Sequence, residues 1–279
     1  MNIDVKQDTV SHDILQNMEI IEAAAWNEMY KAADKFTRRD YGMQMHNVNG
    51  ATLSITSKID VLAFNRVVGW GIKQHAAEED INEFIKHYKR ATVPRFFVQA
   101  SPYAEPAEAA GWLQHHGFEH YNNWVKLYRE SGETPHPATD FKFKKVKNED
   151  AKTFVSIVSE GFQWPEEVND ILISLIGRKN WYHLMAWEEE EPISTASFYK
   201  NDDYAWFCFA STLPGYRAKG AQTALISHLI DTATHAGCKH FFVETADEKA
   251  GSPSPSARNL MRMGFRELYK RPNYIYYNK

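Results

Sequence analysis

The chain of 279 residues repeats itself, and this repetition limits its architecture more than any other feature. Arg95-Phe96-Phe97-Val98-Gln99-Ala100-Ser101 is paralleled by His240-Phe241-Phe242-Val243-Glu244-Thr245-Ala246, an offset of 145 positions (240 − 95). Farther on, Leu113-Gln114-His115-His116-Gly117-Phe118 is paralleled by Leu260-Met261-Arg262-Met263-Gly264-Phe265, an offset of 147 (264 − 117). In each half an apolar strand leads through a proline-containing loop to a short helix, a Gly-Phe pair and an aromatic strand, at residues 123–128 and 273–277. Two matches in one order, at nearly one offset, predict a duplicated domain. Between the halves lies the polar stretch 130–140, with Gly132, Pro135 and Pro137 and no large apolar side chain. It reads as a linker. The expected domains are therefore residues 1–129 and 141–279, and the length suits two medium domains.

Hydrophobic spacing fills in the elements. Residues 14–35 predict one helix, with Ile14, Met18, Ile21, Ala25, Met29 and Ala32 three or four apart. Residues 77–90 predict another, with Ile81, Phe84, Ile85 and Tyr88 on one side. Residues 52–56 and 60–65 read as strands. In the second half, residues 141–146 alternate apolar with basic, as a half-exposed strand does. Helices follow at 152–159 and 166–176, and strands at 182–187, 193–199 and 204–212. The expected class is mixed α/β, an α+β-like sheet with helices on both faces.

Hydrophobic residues make up 43% of the chain, enough for a packed core. The net charge of −4 argues against a nucleic-acid partner, which would call for a basic excess. Cys208 and Cys238 are too few for a disulfide framework and read as small apolar core residues. The first eight residues lack the cationic start and apolar core of a signal peptide. No uncharged apolar run reaches the ~18 residues that span a bilayer. A cytoplasmic protein with no membrane partner is expected. His115, His116 and His120 cluster without the carboxylate or cysteine that would complete a metal spacing, so no metal is expected.

The chemistry concentrates in residues 204–226. An apolar strand ends at Thr212-Leu213-Pro214-Gly215, and a helix opens after Arg217-Ala218-Lys219-Gly220. This helix carries Ala221, Leu225, Leu229 and Ala233 on one side, and Gly237 stands where a left-handed cap belongs. The first N–H groups of a helix lack internal partners, and the helix dipole adds partial positive charge there. Arg217 and Lys219 add full charges, and Gly220 lets a phosphate approach the main chain. Neither the three-glycine dinucleotide fingerprint nor the Walker Gly-Lys-Ser/Thr ending is present.

Arg217-Ala218-Lys219-Gly220-Ala221-Gln222 resembles the acetyl-CoA motif of the GCN5-related N-acetyltransferase (GNAT) family, Arg/Gln-x-x-Gly-x-Gly/Ala. Gln222 departs from that pattern at the last position. Thr212-Leu213-Pro214 resembles the family's strand end that holds the pantetheine arm, and residues 256–265 resemble its later helix and Gly-Phe. The resemblance covers roughly residues 141–279. It implies two tandem GNAT domains, of which residues 1–129 are a degenerate copy, because residues 65–75 carry glycines and basic side chains but no proper motif.

The implied activity is acetyl transfer from acetyl-CoA to a primary amine of a small molecule or peptide. The implied donor contacts are Thr212, Leu213, Arg217, Ala218, Lys219, Gly220, Ala221, Gln222 and Thr223, with Asn259 and Arg262 from the later helix. A protonated amine with a pKa of roughly 10 is not a nucleophile, so a base is needed. Glu244 is the candidate. Main-chain N–H groups at Thr212 and Leu213 are the candidates for holding the thioester oxygen. Many family members place an acidic tyrosine where Leu260 stands here, which leaves water or Tyr269 to protonate the sulfur. Phe162-Gln163-Trp164-Pro165 falls where the family lines its acceptor site. Other acyl or aminoacyl donors, or CoA binding without turnover, are the competing readings, and a homodimer is compatible with the chain.

Overall fold

The computed structural model describes residues 10–247 and 253–279. The reading of residues 1–8 lies outside them. The described residues form, in order, helix α1 (His12–Ala32), α2 (Lys35–Tyr41), strands β1 (Met43–Val48), β2 (Ala51–Thr56) and β3 (Arg66–Val68), α3 (Glu78–Arg90), β4 (Arg95–Gln99), α4 (Ala109–His115) and β5 (Glu119–Glu130). They continue with β6 (Lys142–Lys145), α5 (Ala151–Phe162), α6 (Glu167–Ile173), β7 (Trp181–Glu188), β8 (Glu191–Asn201), β9 (Tyr204–Thr212), α7 (Ala221–His235), β10 (His240–Ala246), α8 (Pro255–Arg262) and β11 (Arg266–Tyr277).

Local chemistry explains where the expectations shift. The helix expected over 14–35 is two helices. The Asp34 carboxylate accepts the N–H groups of Phe36 and Thr37 at 2.7 and 2.8 Å, which stops α1 and starts α2. Residues 60–65 are not a strand. They curl into a single 3-10 turn, Leu62–Phe64, around the Asn65 side chain. The Asn65 amide donates to Ile59 O at 2.9 Å, and its Oδ1 accepts the Thr56 N–H at 2.9 Å. A side-chain amide thus replaces a strand partner. The flanking strands β1 and β3 were not anticipated.

All eleven strands join one sheet, in the order β1-β2-β3-β4-β11-β5-β10-β9-β8-β7-β6. The closing strands of the two halves are exchanged. β5 lies among the C-terminal strands, antiparallel to β10, with His240 opposite Glu130. β11 lies among the N-terminal strands, antiparallel to β4, with Arg95 opposite Tyr277. The sequence offsets carry one pairing onto the other, since 240 − 145 = 95 and 130 + 147 = 277. β5 and β11 pair with each other at the centre.

Alternation along the strands sends neighbours to opposite faces. Tyr128, Trp206 and Phe242 pack under α1, α5 and α6 in a core that runs across both halves. Leu127, Phe207 and Phe241 pack under α7 and α8 on the other face. α3 and α4 cover Leu53, Phe96 and Val98 on that face of the N-terminal strands. Each fully buried Leu or Phe contributes roughly 1.5–3 kcal/mol relative to exposure. The edge strand β6 carries Lys142, Lys144 and Lys145, charges that oppose edge-to-edge pairing. Among the described residues, no helix is long and apolar enough to cross a membrane.

Candidate active site

β9 and β10 run parallel but separate partway. Tyr204 to Phe207 pair with His240 to Val243, and no farther. Beyond that point β9 follows β8 and β10 follows β5. A bulge in β9 drives the separation. Between the pairs Thr195–Ser211 and Ser197–Cys208, β9 carries one residue more than β8. Phe209 takes up the excess at φ 53°, and its carbonyl accepts from Thr195 Oγ1 at 3.0 Å. The result is a V-shaped gap with unpaired main chain on both sides.

Leu213 does not offer its N–H to this gap, contrary to expectation. That N–H is donated to Ile193 O at 3.0 Å, toward β8. Alternation in an antiparallel pair then turns the Thr212 N–H away from β8, into the gap. Of the two, Thr212 alone turns its N–H toward the gap.

The loop after β9 makes a short 3-10 turn at Pro214–Tyr216 and enters α7 through Gly220 at φ 86°. A Cβ at Gly220 would touch nothing within 4 Å, so the glycine is required by its backbone angle and leaves open space before the helix. No side chain caps α7, and the first helical bond runs from Ala224 N–H to Gly220 O at 3.0 Å. The N–H groups of Ala221, Gln222 and Thr223 precede that bond and point out of the helix. Arg217 Nε donates to Thr212 O at 3.2 Å, folding a guanidinium back on the strand end. Lys219 Nζ lies 3.2 Å from Glu188 and 4.8 Å from the Tyr216 ring centroid. The acidic turn between β7 and β8 therefore reaches the loop.

α8 docks on the first turn of α7. Asn259 Nδ2 donates to Gln222 Oε1 at 2.7 Å, and Arg262 Nη1 lies 3.4 Å from Asn259 Oδ1. Gln222, the residue that departs from the motif, is the anchor between the two helices. Ser254 caps α8, accepting from Ala257 N–H at 3.1 Å. Leu260 is a core residue.

Glu244 and Tyr269 fall into a buried ionic cluster that sequence reasoning did not find. Glu19 and Glu22 of α1, with Glu244 of β10, face Arg66 of β3, Lys126 of β5 and Arg271 of β11. Arg271 reaches Glu19 at 2.6 Å and Glu244 at 2.7 Å. Lys126 bonds Glu22 and lies 2.9 Å from Glu244. Burial alone would raise the pKa of Glu22, but Arg271, Lys126 and Arg66 overcome it and hold the carboxyl well below the usual range. Tyr269 donates to Glu19 at 2.5 Å, and burial and that carboxylate push the phenol well above its ordinary pKa. Three acids balance three bases, so the cluster is neutral as a unit. Glu244 is its only acid with appreciable exposure, 13% against 1% and 0% for Glu19 and Glu22. The acids were legible only as charges beside the apolar stripe of α1, at Glu19 and Glu22.

Residues 143–265 match the acetyltransferase (GNAT) family. A GCN5-related N-acetyltransferase from Kribbella flavida superposes with a TM-score of 0.64 at 13% identity, covering 92% of this chain and 94% of that one. The fold is that of the GNAT acyltransferases. A functionally unknown conserved protein from Staphylococcus epidermidis superposes at TM-score 0.59 and 10% identity, covering 88% of this chain and 99% of that one. A tandem GNAT protein from the clavulanic acid biosynthesis pathway gives 0.54 at 12% identity, covering 71% and 69%. No curated protein matches the sequence at a significant level.

Within this GNAT fold, the N-terminal half treats its corresponding loop differently. β3 and β4 are parallel, with Arg66 opposite Phe97, and the chain leaves β3 through Gly69 and Gly71 at φ 74° and 76°. α3 then begins with Glu78, Glu79 and Asp80. Asp80 Oδ2 accepts from Ala77 N–H, Trp70 Nε1 and Asn49 Nδ2, each at 2.9 Å. A carboxylate of the chain itself thus turns back onto the residue before this helix, and buried Trp70 packs beside it. Elsewhere, Trp164 packs against Phe64 and Phe162 beside the β9 bulge. Both cysteines are free. His116 contacts Glu78 and His120 contacts Asn123, and no cluster of metal-ligating side chains occurs among the described residues.

Proposed function

We propose that the chain is an N-acetyltransferase that moves an acetyl group from acetyl-CoA to a primary amine of a small molecule or peptide. One observation carries the reading: an uncapped helix start, opened by Gly220 at φ 86°, stands at the end of the strand that splays from β10. Ala218, Lys219 and Gly220 form the turn, the N–H groups of Ala221, Gln222 and Thr223 face the pyrophosphate, and Arg217 and Lys219 neutralise it. Asn259 and Arg262 border it from α8. The Thr212 N–H holds the thioester oxygen as charge develops there. Leu213 contributes only its place at the strand end.

The amine nitrogen bonds to the acetyl carbon, the carbon–sulfur bond breaks, and the sulfur leaves with a proton. Glu244, whose side chain is partly exposed, takes the amine proton through water at Oε1, which lies 3.6 Å from Arg66 and is the less tightly held oxygen. Tyr269 is committed to Glu19, so water protonates the sulfur. Residues 141–279 are the working copy and residues 1–129 a degenerate copy, joined through 130–140. The matched pairing registers and the tandem GNAT neighbour support that division, and the blocked start of α3 supports a single donor site.

Isothermal calorimetry with acetyl-CoA, with CoA and ATP as comparisons, tests this. One site per chain is expected. No binding in a folded sample would overturn the donor reading, and two sites would overturn the degenerate copy. One observation favours a CoA-binding protein without turnover: buried Leu260 stands where the family's acidic tyrosine belongs. Acetyl transfer to any member of an amine panel would exclude it.

A further inference from the structure

The N-terminal half holds a cleft of about 530 Å³ between α1, the turn joining β1 to β2, and the loop that follows β3. Tyr199 of β8 also lines it, and Glu19 of the ionic cluster forms part of its wall. Ala23, Ala24, Gly50 and Gly69 keep it open, and no atom lies within 4 Å of where a Gly69 Cβ would stand. Its walls are preformed. Asn49 ties the hairpin turn to the loop, donating to His75 O at 2.8 Å and to Asp80 at 2.9 Å. A preformed pocket orders little on binding, which favours affinity.

The wall chemistry selects a ligand class. Asn27, Asn47 and Gln74 line the cleft, and each amide carries both a donor and an acceptor. Peptide groups are the natural complement of such side chains. The ionisable lining residues not already committed to the ionic cluster are one acid, Glu28, and two bases, Lys31 and Lys73; Glu19, also in the lining, is buried against Arg271 and Tyr269. Both signs are present on the wall, Glu28 beside Lys31 and Lys73 apart from them, so a zwitterion can face each. Lys73 extends from the loop and has no ionic partner among the described residues. Glu28 lies on α1, where its carboxylate is 3.1 Å from Lys31. Phosphate is disfavoured, because the adjoining helix starts with Glu78, Glu79 and Asp80.

We infer that this cleft binds an amino acid or short peptide with free ends, its carboxylate on Lys73, its amine toward Glu28 and its peptide groups on the amides. The site does not depend on the acetyl-transfer reading. The test is calorimetry of the full chain with glycyl-leucine, N-acetyl-glycyl-leucine and glycyl-leucinamide. Saturable 1:1 binding of the free dipeptide is expected, weakened about tenfold or more by capping either end or by Lys73→Ala, each of which removes one charge-assisted contact. Ala24→Phe, which fills the cleft, should abolish it, and Gly220→Asp should leave it unchanged. Absence of saturable binding of the free dipeptide overturns the inference. So does binding that tolerates both Lys73→Ala and Ala24→Phe, or equal binding of the capped peptides.

Discussion

The helix starts at α7 and α3 stand at equivalent places in the two halves and meet opposite fates. At α7 the chain enters through Gly220 with no cap and open space ahead of it. At α3 the same place is closed by Asp80, which takes a main-chain N–H, an indole N–H and an amide N–H at once. The central pairs differ in the same sense. Glu244 opposite Lys126 is ionic, and its counterpart, Gln99 opposite Asn273, is a neutral amide pair joined at 2.8 Å. One scaffold therefore keeps its hydrogen-bond geometry while its charges are removed or satisfied internally. What separates the two helix starts is whether the chain leaves the first turn open, and the proposed donor site lies at the open one.

The sharpest way to break this contrast is to remove charge from the ionic centre. Arg271→Leu leaves Glu19, Glu22 and Glu244 short of a shared cation, and should cost about 3–5 kcal/mol in denaturant unfolding. Gln99→Leu, which removes no charge but frees Asn273 and one bond of Arg66, should cost about 1–3 kcal/mol. Equal losses would mean that the charges add nothing to the geometry.

A second difference is titratable. His183 of β7 corresponds in register to Asn47 of β1, and burial lowers the histidine's pKa to about 4. The unfolded chain binds that proton near pH 6.5, so stability is intact above that value and falls as the pH drops toward 4. The loss should approach about 3 kcal/mol. His183→Gln should flatten that part of the curve, and an unchanged slope would assign it to other groups.

Paired glycine substitutions sharpen the comparison of the two loops directly. Gly220→Asp should weaken acetyl-CoA binding on the order of a hundredfold, through backbone strain and charge at the helix start. Gly69→Asp should leave that affinity unchanged in the same calorimetric assay. The smallest expected effect is at Lys219. Glu188→Gln releases this exposed lysine, and should tighten acetyl-CoA binding by no more than about threefold, with the gain lost at high salt.

Much of the site was legible because its signals are local. Pro214-Gly215 and Gly220 mark a turn and a helix start by backbone chemistry alone, and the structure finds both. The strand exchange was not legible, because the alternation within β5 or β11 fixes which face a side chain takes and says nothing about the neighbouring strand. The ionic cluster was hidden for the same reason. Glu19, Lys126, Glu244 and Arg271 come from four separate elements, and none looks unusual until the sheet assembles them. Leu213 was assigned an N–H that its pairing with Ile193 consumes, a fact set by the register of β8 on β9. β1 was missed because Gln44, His46 and Asn47 give an edge strand little apolar pattern.

The exchanged strands also bear on how the chain is made. The edge of β4 away from β3 is covered by β11, which follows every other described element in chain order. A ribosome therefore releases residues 95–99, with Phe96, Phe97 and Val98, long before their partner exists. Until β11 is made, the first half presents an open apolar strand edge, the kind of surface that chaperones shield and that aggregation begins from.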